Sequence, residues 1–500
     1  MPRSEPVAHA HDSAGAGTAN PLSGITAPAV GGIAPEAGPA EWRASALAWY
    51  GLAVLIAATV LAAVDRQILV LLAEPVRQSF GLSDTKLGLL HGAGIALFAG
   101  AAAVPLGWLA DRYGRRAVLA CCILLWTAAT AACGLAWDFA SLFVAAIGLG
   151  IGEAGLAPIV YGLIPDIVPA RKRVLANGIY AVAAIFGAGI GIGLSGALIE
   201  GIEGLRDVLP SGINQLEPWR LSFLAVAVPG PIVALLILLI RVRPLSAAAA
   251  AGRAASPLRL ADYVREHGRT LVGVFGGTGL AGLGIAALAA WSPVVAARNF
   301  SATPQQVGQG IGLAYVIGTV CGALIGGYGV RKLRPLVGIA TPLRVIVMGF
   351  ALSALSSAAL FGAMSALHVY VLFGLQVAFL IAGSVLAPTL LQDMTPHSLR
   401  SRVIALGSVI TILLSALSPV LVGVLSDALP AGSRSLLMAT AIVATVSLAV
   451  GAFLTKQVET RFVATVKAVA DQAELGDGLA SPLPARVLRD TPTTPGDKHV

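Results

Sequence analysis

Charge is scarce in this chain. Of its 500 residues only 12% are Asp, Glu, Lys or Arg, and 6% are aromatic. A soluble domain carries roughly 25% charged residues, so the polar groups needed to cover an aqueous surface are missing. Cysteine is scarce too. Cys121, Cys122, Cys133 and Cys321 all fall in apolar segments, their spacing forms neither a zinc site nor a disulfide framework, and small core residues are expected. The first 42 residues are rich in Ala, Pro and Gly, contain Glu5 and Asp12, and have no apolar h-region. They do not read as a signal peptide, and a disordered cytoplasmic tail is expected over 1–46. The sequence offers no His-Glu-x-x-His, no Asp-rich motif and no Ser/His constellation, which argues against an intramembrane enzyme. No metal site and no cofactor are expected.

What the chain has instead is 57% hydrophobic residues, 58 glycines and a mean hydropathy of +0.84. Apolar runs of about 20 residues recur, each long enough for a bilayer core of roughly 30 Å. Spans are expected at 47–72, 88–110, 117–135, 142–164, 174–199 and 221–240, then at 270–296, 306–328, 345–362, 368–391, 403–426 and 435–455. The expected fold is an all-α membrane protein of twelve transmembrane helices in two six-helix bundles, 47–240 and 270–455. Residues 241–269, with the run Ala247 to Ala251, read as a cytoplasmic linker. Residues 456–500 read as a cytoplasmic tail, with a short amphipathic surface helix from Lys456 and disorder from Gly476 onwards.

The net charge of +8 sits in short clusters between apolar runs, which argues against nucleic acid as a partner. Loops on one side carry Arg112, Arg115, Arg116, Arg171, Lys172 and Arg173; then the basic residues of the linker; then Arg331, Lys332, Arg334, Arg344, Arg400 and Arg402. The other loops hold only Arg77, Lys86, Arg206, Arg220, Arg298 and Arg434. Eighteen against six places both termini inside a bacterial-type plasma membrane.

A faint repeat joins the halves. Leu156-Ala157-Pro158 precedes Asp166, Pro169 and Arg173, and Leu386-Ala387-Pro388 precedes Asp393, Pro396 and Arg400, each at the end of a fourth helix. Parallel repeats of this kind imply two bundles rocking about a midplane site.

Between the second and third runs stands Gly107-Trp-Leu-Ala-Asp111-Arg112-Tyr-Gly114-Arg115-Arg116. It resembles the loop signature of the major facilitator superfamily, and the resemblance implies a conformational latch between the halves. In that reading one glycine allows close helix contact and another a tight turn, while Asp111 faces a helix N-terminus of the other half. The second half has Gly326-Gly327-Tyr328-Gly329-Val330-Arg331-Lys332 without an aspartate, so a one-sided latch is expected. Within the superfamily the chain is similar to the Spinster-type group over about residues 47–455. The similarity rests on Asp65-Arg66-Gln67, on Gly150-Ile-Gly152-Glu153-Ala154, and on Ser418-Pro419 through Gly423 to Ser426-Asp427. It implies proton coupling at Asp65 and Glu153 and a lysolipid or sphingolipid class of substrate. Where that group has an arginine four residues before Gly150, this chain has Ala146; Arg66 is a candidate replacement.

The residues support the same site. An ionisable group at that depth costs roughly 2.5–3.5 kcal/mol, so it needs a partner, water or a function. Asp65 and Arg66, about 100° apart on a helix, cannot simply face each other. A structural ion pair with another helix is the plain alternative. Gly150-x-Gly152-x-x-Gly155 and Gly277-x-Gly279-x-x-Gly282 match a dinucleotide pattern but lie inside spans, where no βαβ unit can form. The fifth span carries Gly187, Gly189, Gly191, Gly193 and Gly196. These resemble a glycine-rich antiporter motif of the superfamily, without its Gly-Pro, and close helix packing explains them equally well.

His91, Tyr161, Tyr180, Tyr315 and Gln376, with Arg66, are the candidate substrate contacts; Thr319 is a further polar residue within a span. The expected function is proton-coupled alternating access for an amphiphilic or organic-anion substrate by a monomer in the lipid bilayer. Symport of a small organic acid, and a non-transporting receptor on the same fold, are the alternatives.

Overall fold

No water reaches the backbone amides inside a bilayer, so each apolar run must satisfy its hydrogen bonds internally. The computed structural model describes residues 40–169, 172–204, 215–242, 260–384, 386–396, 399–430, 432 and 434–480, and the apolar runs among them are helical. Eleven stretches are long and apolar enough to cross a membrane. One of them, Pro304–Gly362, contains two helices separated by a turn at Gly338, where φ is +63°. Counted separately, these bring the spans to the expected twelve.

In the first half, α1 (Ala40–Leu71) leads through α2 (Ala73–Phe80) and α3 (Asp84–His91) into α4 (Ala93–Tyr113) and α5 (Arg115–Gly134). The fourth span is broken at Gly155 into α6 (Phe139–Ala154) and α7 (Leu156–Ile167). The fifth is α8 (Arg173–Gly204), and the sixth is split at Pro229 into α9 (Pro218–Ala227) and α10 (Pro229–Leu238). The second half comprises α11 (Leu260–Phe300), α12 (Pro304–Val337), α13 (Thr341–Ala358), α14 (Ala366–Ser384), α15 (Ala387–Asp393), α16 (Arg400–Ala428), α17 (Ser435–Gln457) and α18 (Glu459–Ala480). The repeat has a structural counterpart, since Leu156 and Ala387 both begin a short helix after a break in the fourth span of their half.

Several boundaries differ from the sequence reading. Helix α1 begins at Ala40, inside the expected tail, and α11 begins at Leu260, inside the expected linker. Helix α18 continues to Ala480, beyond Gly476. Buried side chains account for the last two: Tyr263 of α11 and Phe462 of α18 pack in one cluster with Leu271, Met394 and Val458. The second-half counterpart of the signature is part of α12, which turns only at Gly338. Residues 1–39, 243–259 and 481–500 of the expected tails and linker lie outside the described residues. Of the four cysteines, Cys122 and Cys133 are core residues, whereas Cys121 and Cys321 are exposed.

Each half has its own apolar cluster, around Leu119, Trp126 and Leu163 in the first and around Phe275, Phe350 and Met394 in the second. A third cluster takes Val76 and Leu87 from one half and Trp291 and Val422 from the other. Two glycine seams let the halves meet there. On α8 and α12, a Cβ at Gly308 would lie 2.9 Å from both the Gly196 Cα and the Ile192 carbonyl oxygen. On α3 and α16, a Cβ at Gly423 would lie 2.9 Å from the Thr85 Cα. Gly189, Gly193 and Gly196 of the fifth span are therefore used for close approach between halves, and Gly187 and Gly191 for close approach to α1, as small residues are in lipid.

Gly308→Val is expected to part the α8–α12 seam. A spin-label distance between the exposed positions Leu194 and Leu313 should lengthen in this variant. It should stay unchanged in Gly327→Val, where a Cβ meets nothing within 4 Å.

Candidate functional site

Asp65 and Arg66 leave α1 in different directions, as their helical offset requires. Asp65 is 1% exposed, and its Oδ1 accepts a 3.0 Å hydrogen bond from Thr130 Oγ1 of α5. The same hydroxyl lies 3.0 Å from the Trp126 carbonyl oxygen. A hydroxyl has one proton to give. An ionised Asp65 takes it, whereas a protonated Asp65 can donate to Thr130 while Thr130 donates to Trp126.

Arg66 turns the other way, and its Nε donates to Glu153 Oε2 at 3.1 Å. The Arg66 side chain is 63% exposed and that of Glu153 is 10% exposed. Glycine sets this direction. A Cβ at Gly152 would lie 2.7 Å from the Trp126 Cβ, so α6 presses on α5 and the next residue, Glu153, faces α1. Ala146 is fully buried in the core, and Arg66 is the counter-charge of Glu153. One oxygen of the pair, Glu153 Oε1, is buried without a hydrogen-bond partner.

A second group lies on the same half. Tyr161 of α7 meets Tyr180 of α8 edge to face, with ring centroids 5.2 Å apart, and the Tyr180 hydroxyl is 2.9 Å from Thr59 Oγ1 of α1. Tyr161 is exposed. From the second half, Tyr315 lies on the α8–α12 seam beside Gly189, and Thr319 has a buried hydroxyl without a partner. Two of the candidate contacts point elsewhere. The ring nitrogens of His91 face the carbonyl oxygens of Leu87 and Leu69 at 2.8 and 3.1 Å. Gln376 Nε2 donates to Ser357 Oγ at 3.0 Å, within the α13–α14 packing. Backbone and side-chain partners inside the bundles occupy these polar atoms.

The signature loop turns at Gly114, where φ is +97°. Arg115 donates to Asp111 at 2.8 Å, to Asp166 at 2.9 Å and to the Gly162 carbonyl at 3.0 Å. Arg116 donates to the Ile240 carbonyl, and Arg112 stacks on Trp108. These partners all belong to the first half. Among the described residues Asp111 faces no helix terminus of the second half; its side chain is 67% exposed, and Gly107 has nothing within 4 Å of where a Cβ would be.

The opposite face carries a charged junction that the sequence reading did not identify. Arg298, at the end of α11, donates to both oxygens of Asp84 at 2.8 Å and to Glu74 Oε2 at 2.9 Å. Ser426 Oγ of α16 donates to Asp84 at 2.8 Å. Asp427 accepts the Asp84 and Thr85 amides at 3.1 and 2.9 Å, so a residue of one half caps the N-terminus of a helix from the other. The available signal was Glu74 and Asp84 in one short connection and Arg298 alone in another on the same side. Burial alone would raise the Glu74 carboxyl. Hydrogen bonds from Arg77 and Gln78 and the adjacent Arg298 guanidinium outweigh it and hold Glu74 below its ordinary value.

The Major Facilitator Superfamily model matches residues 55–343. The chain is 29% identical over 194 residues to an MFS-type efflux pump of Mycolicibacterium smegmatis, covering 39% of this chain and 42% of the relative. It is 33% identical over 141 residues to the sphingosine-1-phosphate transporter SPNS2 of Mus musculus, covering 28% and 26%. These alignments thus span less than half of each relative's length. A bacterial homologue of the human lysosomal transporter Spinster, in an inward-facing and unoccupied conformation, matches with a TM-score of 0.67 at 22% identity, over 85% of this chain and 98% of that one. The inward-open xylose transporter XylE of E. coli matches with a TM-score of 0.56 at 16% identity, over 80% and 94%. At these identities the structural matches establish the fold.

Arg298→Ala would leave Asp84 buried without its cation, while Glu74 keeps Arg77, and loss of one partner of a buried pair costs a closed junction about 3–5 kcal/mol. A cysteine replacing the fully buried Val422, in a background without other cysteines, should then become reactive to a membrane-impermeant maleimide. Because the Glu74 carboxyl is held down when the junction is closed, its contribution is complete above the ordinary carboxylate range and is lost as pH falls through the depressed value. Opening of the wild-type junction, tracked as a spin-label distance across it because thiol reactivity itself falls in acid, should therefore stay flat from pH 8 to about 5 and increase only in stronger acid.

Proposed function

The chain belongs to the major facilitator superfamily, and from that premise we propose that it is a proton-coupled secondary transporter for an amphiphilic or organic-anion substrate. It works by alternating access in a bacterial-type plasma membrane, as a monomer with both termini in the cytoplasm. The two bundles, 47–240 and 270–455, move against each other. The observation that carries the reading is the Arg66–Glu153 pair: an exposed guanidinium, bonded through Nε, beside a carboxylate with a buried oxygen that has no partner among the described residues.

That geometry gives a rule for coupling. The two Nη groups of Arg66 have no hydrogen-bond partner among the described residues and can hold an anionic head group in a bidentate fashion. When the anion takes Arg66, Glu153 loses its counter-charge and binds a proton more readily. Proton and anion then occupy the site together. Asp65 and Thr130 supply a second exchange point, because their shared hydroxyl proton can reverse direction. Tyr161, backed by the buried Tyr180, offers an aromatic surface to the substrate, and Tyr315 approaches from the other bundle. The role proposed for His91 and Gln376 is packing.

An amphiphile is favoured by a cavity of about 360 Å³ in the second half, lined chiefly by apolar side chains such as Phe275, Leu390 and Ile404 with Thr278 and Thr411 at its wall. The names of the relatives support a similar range, from an efflux pump to a sphingosine-1-phosphate transporter. The signature residues Gly107, Asp111, Arg112, Gly114, Arg115 and Arg116 act as the latch when the junction at Arg298 opens. Symport of a small organic acid is the second reading, favoured by the exposed Arg66 and by a relative named as a 3-(3-hydroxy-phenyl)propionate transporter.

Proteoliposomes containing the purified chain should accumulate or release a lysolipid or sphingoid compound only when a proton gradient is imposed. Stimulation by aromatic acids and by no lipid would select the second reading. Glu153→Gln and Asp65→Asn should each abolish the gradient dependence while leaving counterflow exchange measurable; full gradient dependence in both variants refutes proton coupling at these residues.

A further inference from the structure

Away from the transport site, α11 and α18 enclose a cleft of about 700 Å³. Its walls carry three guanidinium groups, Arg265 and Arg269 one helical turn apart on α11 and Arg461 on α18. None of the three has an ion-pair partner among the described residues. One acid, Glu266, lines the cleft, and its nearest basic atom is His267 Nε2 at 3.9 Å. Three cations held near one another without counter-ions are a mutual repulsion that an anion would relieve.

The floor is organised and polar. Thr465 Oγ1 lies 3.4 Å from both His267 Nδ1 and Thr270 Oγ1, and the His267 ring packs on Tyr263 with centroids 4.7 Å apart. Tyr263 in turn donates to the Met394 carbonyl. The two walls are fixed to each other from behind by Phe462, which is fully buried against the second-half core. Glu459, at the start of α18, is anchored by Arg344 and Lys456. Burial pushes its carboxyl up, but those two cations outweigh this and hold it below its ordinary value, so the anchor is ionised at neutral pH.

Depth selects the ligand. The cleft ends at Thr270, and the next residues begin the apolar span, where Leu271 is buried and Val272 is exposed on the outer surface. A span beginning at residue 270, as expected from the sequence, would put guanidinium groups at that boundary at the level of lipid phosphates. Counting spans places the cleft on the same side as Asp111 and Arg115, the face rich in basic residues. Basic pockets between transmembrane helices on that side take anionic head groups, and a guanidinium matches a phosphate with two parallel hydrogen bonds.

We propose that this cleft is a phosphate-binding site, in which Arg265, Arg269 and Arg461 hold the head group of an anionic phospholipid and thereby clamp α18 onto α11. A soluble phosphoryl compound has the same chemistry and is distinguished by the test. This site is independent of the transport reading.

The test uses the purified full-length chain in detergent, with thermal unfolding as the readout, titrated with phosphatidylglycerol, phosphatidylcholine or inorganic phosphate. Phosphatidylglycerol should raise the melting temperature and phosphatidylcholine should not. Each arginine removed should weaken the apparent affinity for phosphatidylglycerol roughly fivefold, and the triple variant R265Q/R269Q/R461Q on the order of 100-fold. The triple variant R265K/R269K/R461K should recover most of the loss, which separates a charge effect from damage to the fold. If inorganic phosphate alone reproduces the shift and its arginine dependence, the ligand is a soluble phosphoryl group and the site stands. No shift with either phosphate source, or an equal shift in wild type and the Gln variant, overturns the proposal.

Discussion

A charge carried into a bilayer must find a partner there, and much of this architecture follows from that one constraint. The ionisable residues of α1 and α6 meet it in opposite ways. Asp65 is withdrawn from solvent and relies on one hydroxyl. Glu153 relies on Arg66, which is itself exposed. The two carboxylates are thus held by partners that differ in accessibility, and only the Arg66 side is open to a ligand. Such unequal environments for neighbouring acids are what separates their roles in proton-handling sites.

The same constraint explains why the halves meet where they do. Three carboxylates (Glu74, Asp84 and Asp427), two guanidinium groups (Arg77 and Arg298) and a helix N-terminus converge at this junction, and satisfying them requires both halves. Glycine makes this possible. At Gly308 and Gly423 a side chain would collide with backbone of the opposing half, so the close approach depends on residues that contribute no contact of their own. At the other face Arg115 and Arg116 find all their partners within the first half, and no equivalent junction forms among the described residues. Joined at one face and, among the described residues, not at the other, the molecule has the form that the proposed alternating-access cycle requires at one of its ends.

Helix α18 adds an element that the repeat does not have, since nothing after α10 in the first half occupies the corresponding place among the described residues. Its attachment through Phe462, Glu459 and the Thr465–His267 contact is local to the second half.

Much of this protein was legible in its sequence because the relevant physics is one-dimensional. Apolar runs long enough to span a bilayer need only their own backbone to fold, so twelve spans and the repeat at the end of each fourth span could be read directly, whereas the break within the fourth spans was not. The signature loop and the depth of Asp65 and Glu153 are likewise linear facts. Partnership is not. That Arg66 rather than a residue near Ala146 neutralises Glu153 depends on how Gly152 seats α6 against α5. His91 and Gln376 looked like cavity contacts from polarity alone, yet a helix face is fixed by its neighbours, and theirs are carbonyls and a serine inside the bundles. Arg298 and Asp84 stand 214 positions apart in the chain, and no local pattern relates them. The sequence determined what must lie in the membrane; only the tertiary structure decided which charges neutralise one another there, because pairing depends on distance in space and not on spacing along the chain.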